Sequence, residues 1–284
     1  AGFVKMFLRE ARLAQRIQHK NVVRVYSAGN AGDEMYIAME LVDGRDLSQL
    51  LQYAHMRDEK VPVEVACRIV ADVCGGLHAA HTARGKDGKP RPILHRDVSP
   101  HNVLVSFDGD VKLTDFGVAK STGNTSVSAE RSGFVKGKVA YLAPELIDGL
   151  PATVKTDVYA AAMTLYAALG SLPYRKRDLL ATMRAIISEP LPPPSSFRDD
   201  IPPALDALAL RAGARNAEER PASAQAFQLE LEEFLAHRPP ADVAAWVKSF
   251  DLRNERDDEH GADDVVLDGH THTATAVSVE VDDL

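Results

Sequence analysis

The segment that most constrains the fold is ILHRDVSPHNVLVSFDGDVKLTDFG, residues 93–117. Two runs of β-forming residues, 103–106 and 111–114, flank an Asp-Gly-Asp turn, which predicts a short hairpin. Asp97 and Asn102 precede the first strand, and Asp115 follows the second. Because the ends of a hairpin lie side by side, we expect these three oxygen-bearing side chains to meet at one edge of a cleft.

Those side chains suit one kind of chemistry. Carboxylate and amide oxygens are ligands that Mg²⁺ prefers. Phosphoryl transfer from ATP also needs a carboxylate near the attacking hydroxyl group. A triplet such as HRD or DFG arises easily by chance, but this chain contains HRDVSPHN (95–102), DFG (115–117) and APE (143–145) in series.

In the order and spacing of these motifs the sequence resembles the eukaryotic-type serine/threonine protein kinases, from about residue 3 to residue 237. Its richness in Ala and Arg resembles the bacterial members of that family. The resemblance implies an α+β, bilobal protein-kinase fold with an incomplete small β lobe and a large, mostly α-helical lobe. Residues 1–43 would form a partial small lobe (the family's helix C, strands 4 and 5 and the hinge), 44–237 the large lobe, and 238–284 an acidic, disordered tail. The implied reaction transfers the γ-phosphate of ATP, with Mg²⁺, to protein Ser or Thr hydroxyl groups.

Local patterns agree with this division. Residues 21–29 and 34–42 are rich in β-formers and separated by Asn, Gly and Asp, which predicts a hairpin. Apolar residues at helical spacing predict a helix within 62–83. Helical patterns dominate 144–237, interrupted by the prolines of 189–197.

The resemblance assigns catalytic roles position by position. Asp97 would orient the substrate hydroxyl and accept its proton, while Asn102 and Asp115 would bind Mg²⁺. Glu10 matches the glutamate of helix C that pairs with the ATP-binding lysine of the family. The alternative for Glu10 is an ordinary exposed helix charge.

The nucleotide site is assigned in the same way. Met39 matches the gatekeeper, and the Glu40 carbonyl and Val42 amide match the hinge groups that bind adenine. Leu104 would form the floor of the adenine site. Asp46 lies where the family often binds ribose, and an N-cap of the following helix is an equally good interpretation.

Other matched positions are structural or regulatory. Glu145 and Arg220 match a buried ion pair, and Asp157 matches the residue that supports the catalytic loop. His95 is interpreted as a core histidine, and Phe116 and Gly117 complete the DFG motif.

Arg96 matches an arginine that binds phosphate on the activation loop. A phosphate there would gain charge-assisted hydrogen bonds from the guanidinium. Autophosphorylation is one source of such a phosphate, and an unmodified loop is the alternative. The candidate hydroxyl groups are those of Ser121, Thr122, Thr125, Ser126, Ser128 and Ser132.

The sequence departs from the family at two positions that touch each other in kinases. Ser99 stands where a lysine normally contacts the transferring phosphate, and Lys138 stands where the family places a threonine. We hypothesise that Lys138 extends into the cleft and restores the positive charge, since a long flexible amine acts as a point charge from a different attachment point. The alternative is an exposed loop lysine beside a damaged site.

A second departure concerns the phosphate-binding elements. No glycine-rich loop and no strand lysine precede Glu10 in these 284 residues. We therefore expect that this chain lacks about the first three strands of the small lobe and is nearly inactive alone. Either the gene product is longer or its start has been misplaced. The alternative function is a non-catalytic, kinase-like binding module. A small-molecule phosphotransferase is disfavoured by the APE motif and Arg220.

Composition limits the kinds of binding partner and cellular compartment that are expected. The segment from Asp251 to Leu284 contains eleven Asp and Glu against two Arg, so the net charge of −8 resides in the tail and the rest is almost neutral. This balance gives no sign of a nucleic-acid surface.

Cys67 and Cys74 are interpreted as two buried thiols, with a disulfide or metal pair as the alternative. No membrane segment is visible, and a reducing cytoplasm with a protein substrate is expected.

Overall fold

The computed structural model describes residues 13–31, 34–85, 87–116, 138–252 and 274–276. Within these ranges the chain forms two three-stranded sheets and a set of α-helices. The strands are β1 (Val25–Ala31), β2 (Glu34–Glu40), β3 (Gly44–Asp46), β4 (Val103–Ser106), β5 (Val111–Leu113) and β6 (Ala274–Ala276). The helices are α1 (Leu47–Met56), α2 (Val63–His81), α3 (Pro144–Ile147), α4 (Val154–Ala168), α5 (Leu179–Ser188), α6 (Pro203–Ala212), α7 (Ala224–Ala236) and α8 (Val243–Lys248).

The first sheet confirms the predicted hairpin. Strands β1 and β2 are antiparallel, with Val25 opposite Met39 and Ala31 opposite Glu34. Strand β6 adds to the other edge of β2, also antiparallel, in the order β1-β2-β6. The α+β fold class is therefore confirmed, with a small β part ahead of a larger helical part.

The second sheet, β3-β4-β5, leads into the predicted catalytic segment. Asp46 ends β3 opposite Leu104 of β4, and β4 turns into β5 at the predicted Asp-Gly-Asp turn. Asp46 also caps α1: its carboxylate accepts the backbone N–H of Gln49 at 2.9 Å, and the Gln49 side chain accepts the Asp46 N–H at 3.3 Å. The N-cap interpretation of Asp46 is thus confirmed.

Helix α2 is the centre of the large lobe and packs against α4 and α7. Cys67 and Cys74 lie on α2, fully buried and free, as predicted. Burial raises the pKa of the Cys67 thiol to about 12, so this group stays a neutral, hydrophobic side chain. Tyr159 and Tyr166 of α4 are also fully buried. In the described part of the chain, no helix combines the length and apolar character needed to cross a bilayer.

A glycine on α2 allows the small lobe to approach closely. A Cβ atom added at Gly76 would lie 2.5 Å from the backbone oxygen of Asn21. The same residue, Asn21, accepts the Leu113 N–H at 2.9 Å, and Val23 donates its N–H to the Leu113 oxygen at 2.9 Å. The contact at Gly76 therefore supports the strand that leads directly to Asp115.

Replacing Gly76 by alanine is expected to destabilise the protein by about 1–3 kcal/mol, because the added methyl group overlaps a backbone atom that β5 holds in place. The neighbouring substitution Gly75→Ala is a matched control. Its Cβ would meet side-chain atoms at 3.4 Å, an ordinary contact. Because alanine is favoured over glycine in helices by about 1 kcal/mol, this control should be neutral or stabilising. Urea unfolding measures both; equal midpoints for the two variants would contradict the close-packing argument.

The folded body extends further towards the C-terminus than predicted. The boundary at residue 237 is wrong, because α8 buries Trp246 and Val247 and the chain remains packed as far as Leu252. Arg57 holds this extension by donating to the backbone oxygens of Ser249 at 2.9 Å and Phe250 at 3.0 Å. Strand β6 is a second departure from the predicted disordered tail, since Ala274–Ala276 pairs with β2. The apolar residues of α8 were too few to form a recognisable helical period.

Candidate active site

The predicted catalytic loop is held by a buried carboxylate on α4. Asp157 accepts the backbone N–H groups of His95 at 2.9 Å and Arg96 at 2.8 Å. Nε2 of His81, on α2, lies 2.8 Å from the same carboxylate. Asp157 is 1% exposed, so these contacts fix the loop with little competition from water. The contacts are those expected of the supporting role predicted for Asp157.

Asp97 and Asn102 are in direct contact. The Asn102 Nδ2 donates to the backbone oxygen of Asp97 at 2.7 Å and to its Oδ2 at 3.2 Å. Both hydrogen bonds use the amide nitrogen, so the amide oxygen is available as a metal ligand. Lys138 also reaches this carboxylate, with its Nζ 2.9 Å from Asp97 Oδ2.

Asp115 is attached to the same loop through the residue before it. Thr114 donates its N–H to the Asn102 backbone oxygen at 3.0 Å, and its own oxygen lies 2.9 Å from His95 Nε2. Asp115 is exposed, but neighbouring protein atoms displace enough water to raise the pKa of its carboxyl group. The charges of Lys138 and Asp97 act on that pKa in opposite directions, which places the three groups in one electrostatic cluster.

Two residues of this region have left-handed backbone conformations that L-residues rarely adopt. Arg96 has φ 64° and Asp115 has φ 59°. Asp58 and Asp251 share this conformation, but they follow helices α1 and α8, where it is common. Arg96 and Asp115 do not follow a helix. Strained residues of this kind are concentrated at active sites, where surrounding contacts such as those of Asp157 hold them in place.

His95 and Phe116 form the apolar support of the loop. His95 is fully buried, and its ring centroid lies 4.6 Å from that of Phe116. Burial lowers the pKa of His95, so the ring stays neutral and acts as a hydrogen-bonding core residue, consistent with its interpretation.

The predicted adenine side faces the same cleft. Met39 lines a small cavity together with Val25, Ile37, Asp115 and Phe116. The predicted gatekeeper and a predicted metal ligand therefore share one opening. Leu104, on β4, lies opposite Asp46 in the second sheet, so the predicted adenine floor and ribose residues are neighbours.

The hinge contains an ion pair that the sequence patterns do not indicate. Lys112 Nζ of β5 lies 2.8 Å from Glu40 Oε1, and Glu40 Oε2 accepts the Arg24 N–H at 3.1 Å. The Glu40 side chain thus bridges the two sheets, while its backbone carbonyl is the group assigned to adenine. Val42 follows in the half-buried connection to β3.

The predicted ion pair of the large lobe is present. Arg220 donates to Glu145 Oε1 and Oε2, each at 2.8 Å, and its guanidinium lies 4.8 Å from the ring centroid of Tyr159. Thr156 donates to the same carboxylate at 2.8 Å. Burial alone would raise the pKa of Glu145, but the hydrogen bonds from Arg220 and Thr156 hold it below its ordinary value.

Ser99 is almost completely buried, at 1% exposure, and its hydroxyl has no hydrogen-bond partner among the described residues. Ser99 precedes a 3₁₀ turn, Pro100–Asn102, in which Asn102 donates its N–H to the backbone carbonyl oxygen of Ser99 at 2.9 Å. The backbone of Ser99 is therefore fixed, while its side chain has hydrogen-bonding capacity to spare.

Some predicted residues lie outside the described ranges. These are Glu10, Gly117 and the candidate phosphorylation positions of the activation loop between 121 and 132. Two contacts that sequence reasoning missed, His81 to Asp157 and Lys112 to Glu40, join residues 76 and 72 positions apart in sequence. No short-range pattern could have indicated them.

The donor set suits Mg²⁺ better than a transition metal. The two predicted donors are the Asp115 carboxylate and the Asn102 amide, both hard oxygen ligands. Over the described ranges, no cluster of three or more His, Cys, Asp or Glu side chains has a metal-holding arrangement. Magnesium at ATP-dependent sites is commonly held by one or two carboxylates plus substrate phosphates, so a sparse protein donor set fits that ion.

The fold is that of the protein kinases, and comparison with known proteins supports this assignment. The sequence matches the protein kinase domain family over residues 3–231, and the chain belongs to that family.

Named relatives are bacterial kinases. The tyrosine-protein kinase MasK of Myxococcus xanthus is 38% identical over 235 residues, which are 82% of this chain and 36% of MasK. The serine/threonine-protein kinase pkn3 of Myxococcus xanthus is 36% identical over 251 residues, covering 85% of this chain and 44% of pkn3. This chain therefore spans less than half the length of either relative. The crystal structure of the Mycobacterium tuberculosis PknI kinase domain superposes with a TM-score of 0.59 at 30% identity, covering 82% of this chain and 78% of that domain.

Proposed function

We propose that the protein containing this chain transfers the γ-phosphate of ATP, with Mg²⁺, to serine or threonine hydroxyl groups of a protein substrate. The observation that carries the proposal is the hydrogen-bonded pair Asp97–Asn102, joined through Thr114 to the neighbouring Asp115. An acceptor carboxylate and two oxygen ligands in one rigid loop assembly are the parts that phosphoryl transfer requires.

Each side chain has a defined task in this mechanism. The Asp97 carboxylate orients the substrate hydroxyl and accepts its proton as the new O–P bond forms and the bond to the leaving ADP breaks. The Asn102 oxygen and the Asp115 carboxylate would hold Mg²⁺, which supplies charge neutralisation on the phosphates. Asp157 fixes the backbone before Asp97, so the base is positioned before substrate binds.

The nucleotide would lie between the hinge and β4. The Glu40 carbonyl and Val42 amide would bind adenine, with Met39 and Leu104 on its two sides. Asp46 has one carboxylate oxygen engaged in capping α1, and the other would accept a ribose hydroxyl. Both interpretations of Asp46 are then satisfied by one side chain.

The type of residue that accepts the phosphate, Ser/Thr or Tyr, is a separate part of the proposal. Of the two Myxococcus relatives, pkn3 is named a serine/threonine kinase and MasK a tyrosine kinase. We favour Ser/Thr on the wider resemblance of the catalytic motifs. Phosphoamino-acid analysis of substrate and of autophosphorylated protein decides this choice, and phosphotyrosine alone would overturn it.

The alternative function is a non-catalytic kinase-like binding module. It is favoured by Ser99, which leaves the catalytic loop without its usual lysine, and by Lys138, which occupies Asp97 Oδ2. Retention of Asp97, Asn102 and Asp115 together favours catalysis, because a module that only binds partners has no need of all three.

Replacing Asp115 by asparagine tests the metal site. The variant is expected to lower kcat/KM by about 100-fold at limiting Mg²⁺ and to raise the Mg²⁺ concentration needed for half-maximal rate, because one anionic ligand is lost. The protein should be expressed from its complete reading frame and assayed by Mg²⁺ titration. The control is Asp110→Asn, at the opposite end of the β4–β5 hairpin. An unchanged Mg²⁺ dependence in Asp115→Asn would exclude Asp115 as a ligand.

A further inference from the structure

We infer that Lys138 is a mobile catalytic cation, bound to Asp97 in the absence of nucleotide and transferred to the phosphates when ATP binds, with Ser99 as its second anchor. The inference rests on the proposed kinase function. It makes Lys138 the source of the positive charge that other kinases obtain from a lysine at the position of Ser99. It also explains how the ammonium group would leave Asp97 Oδ2 when the substrate binds.

The backbone of Lys138 is held by the turn that follows it, while its side chain is partly exposed. Lys138 precedes the 3₁₀ turn Val139–Tyr141, in which Leu142 donates to the Val139 oxygen at 3.0 Å. Val139 and Ala140 are buried, at 8% and 2% exposure, and so anchor the turn. The Lys138 side chain is 29% exposed, and its four-carbon stem allows the ammonium group to move without movement of the backbone.

Charge determines where the ammonium group lies in each state. Without nucleotide, Asp97 Oδ2 accepts from Lys138 at 2.9 Å and from Asn102 at 3.2 Å, so the oxygen is doubly engaged. A bound triphosphate carries more negative charge than one carboxylate. The ammonium group therefore moves towards the phosphates, and Asp97 Oδ2 becomes available to the substrate hydroxyl.

Ser99 supplies the acceptor that completes this second position. Its buried hydroxyl has no partner among the described residues, and it lies two positions after Asp97 in the same loop. A lysine ammonium has three N–H donors, so it can bind a phosphate oxygen and the Ser99 hydroxyl together. Lys138 stays protonated throughout and forms no covalent bond; the proton of the substrate hydroxyl passes to Asp97.

The test uses substitutions at 138 and 99 in the protein expressed from its complete reading frame. Lys138→Met should lower kcat by about 100-fold, the scale of removing one charge-stabilising donor from a transition state, while KM for ATP changes much less. Lys138→Arg should recover part of the loss. The exchange variant Ser99→Lys/Lys138→Thr should be at least tenfold faster than Lys138→Thr alone, because it returns a cation to the site from the other residue.

Ser99→Ala measures the second anchor. In the parent enzyme it should lower kcat by about fivefold, the equivalent of one hydrogen bond. In the Lys138→Met background it should have no effect, because the partner of the hydroxyl is already lost. A fivefold loss in both backgrounds would show that Ser99 acts without Lys138 and would overturn the two-anchor inference.

Lys155→Met is the matched control for Lys138→Met. Lys155 also forms a 2.9 Å ion pair and its side chain is 18% exposed, but its partner, Glu218, lies outside the catalytic loop. Its kcat should equal that of the parent, and both methionine variants should keep the parent's melting temperature. A fall in melting temperature for Lys138→Met alone would indicate a structural role and overturn the catalytic one.

The outcomes separate this inference from the function on which it rests. A parent that transfers phosphate, with Lys138→Met within threefold of it, removes the role of Lys138 and leaves the proposed function intact. A parent that transfers no phosphate with Mg²⁺ and ATP removes both.

Discussion

Replacing Asp97 by asparagine is expected to lower kcat for substrate phosphorylation by about 10³–10⁴-fold, with a much smaller change in KM for ATP. Asparagine has nearly the same shape but cannot accept the proton of the attacking hydroxyl, and general-base catalysis contributes up to about 10⁴ to a rate. The nucleotide contacts assigned to the hinge do not involve this side chain, so ATP binding should persist.

The measurement is steady-state transfer of labelled phosphate from ATP, accompanied by thermal unfolding of each variant. Asp87→Asn is a suitable control, because Asp87 lies in the exposed turn before the catalytic loop, where it pairs with Arg91. The Asp97 side chain is 20% exposed and its partner Lys138 is 29% exposed, so little stability should be lost with the charge. If Asp97→Asn keeps more than a tenth of the parent kcat, Asp97 is not the base.

The largest effect on stability is expected at Arg220. Arg220→Met should reduce the free energy of unfolding by about 3–5 kcal/mol, because it leaves the Glu145 carboxylate, which is only 13% exposed, without its cation. The Arg220 side chain is fully buried, and besides Glu145 it donates to the backbone oxygens of Ala214 at 2.7 Å, Lys155 at 3.0 Å and Arg215 at 3.0 Å. Its loss therefore also removes the hydrogen-bond donor to these three carbonyl groups.

Urea unfolding of the variant can be compared with that of Arg211→Met. Arg211 pairs with Glu230, but its side chain is 48% exposed, so that substitution should cost less than about 1 kcal/mol. The pair also predicts a pH dependence. Because the pKa of Glu145 is lower in the folded protein than in the unfolded chain, the ionised group stabilises the fold fully at pH values above the ordinary pKa of glutamate. This stabilisation is lost as the pH falls through the lowered pKa.

Glu145→Gln should therefore reduce the slope of stability against pH in the acidic range. Equal stability losses for Arg220→Met and Arg211→Met would show that the buried pair has no special importance for the lobe.

The sequence predicted the parts of the fold that depend on short-range patterns. The hairpin β1–β2, helix α2 and hairpin β4–β5 each contain a clear period or turn signal and are confirmed. Helix α8 and strand β6 were not predicted, because α8 is held by contacts such as Arg57 to Ser249 that join residues 192 positions apart. A six-residue helix has too few residues to show a period of its own.

In the candidate site, too, the features that lie in one sequence segment were predictable and the features that depend on packing were not. Asp97, Asn102 and Asp115 could be recognised because their motifs occur in one segment, and the hairpin that joins their ends was itself predictable. The distance of Lys138 from Asp97 could not be derived from the sequence, since it depends on how the turn at Val139 packs against the catalytic loop. That the Ser99 hydroxyl has no hydrogen-bond partner in the described part of the chain is likewise a property of the packed structure, although the serine at 99 already marked that position in the sequence.

A crystal structure of the complete protein with Mg²⁺ and a non-hydrolysable ATP analogue would test the assigned metal and nucleotide site. We expect a metal ion about 2.1 Å from the Asn102 amide oxygen and from an Asp115 carboxylate oxygen, also bound to phosphate oxygens. Adenine should lie between Met39 and Leu104, with the γ-phosphate directed at Asp97. A nucleotide bound elsewhere, or a metal ion that contacts neither Asn102 nor Asp115, would show that these residues do not form the catalytic site.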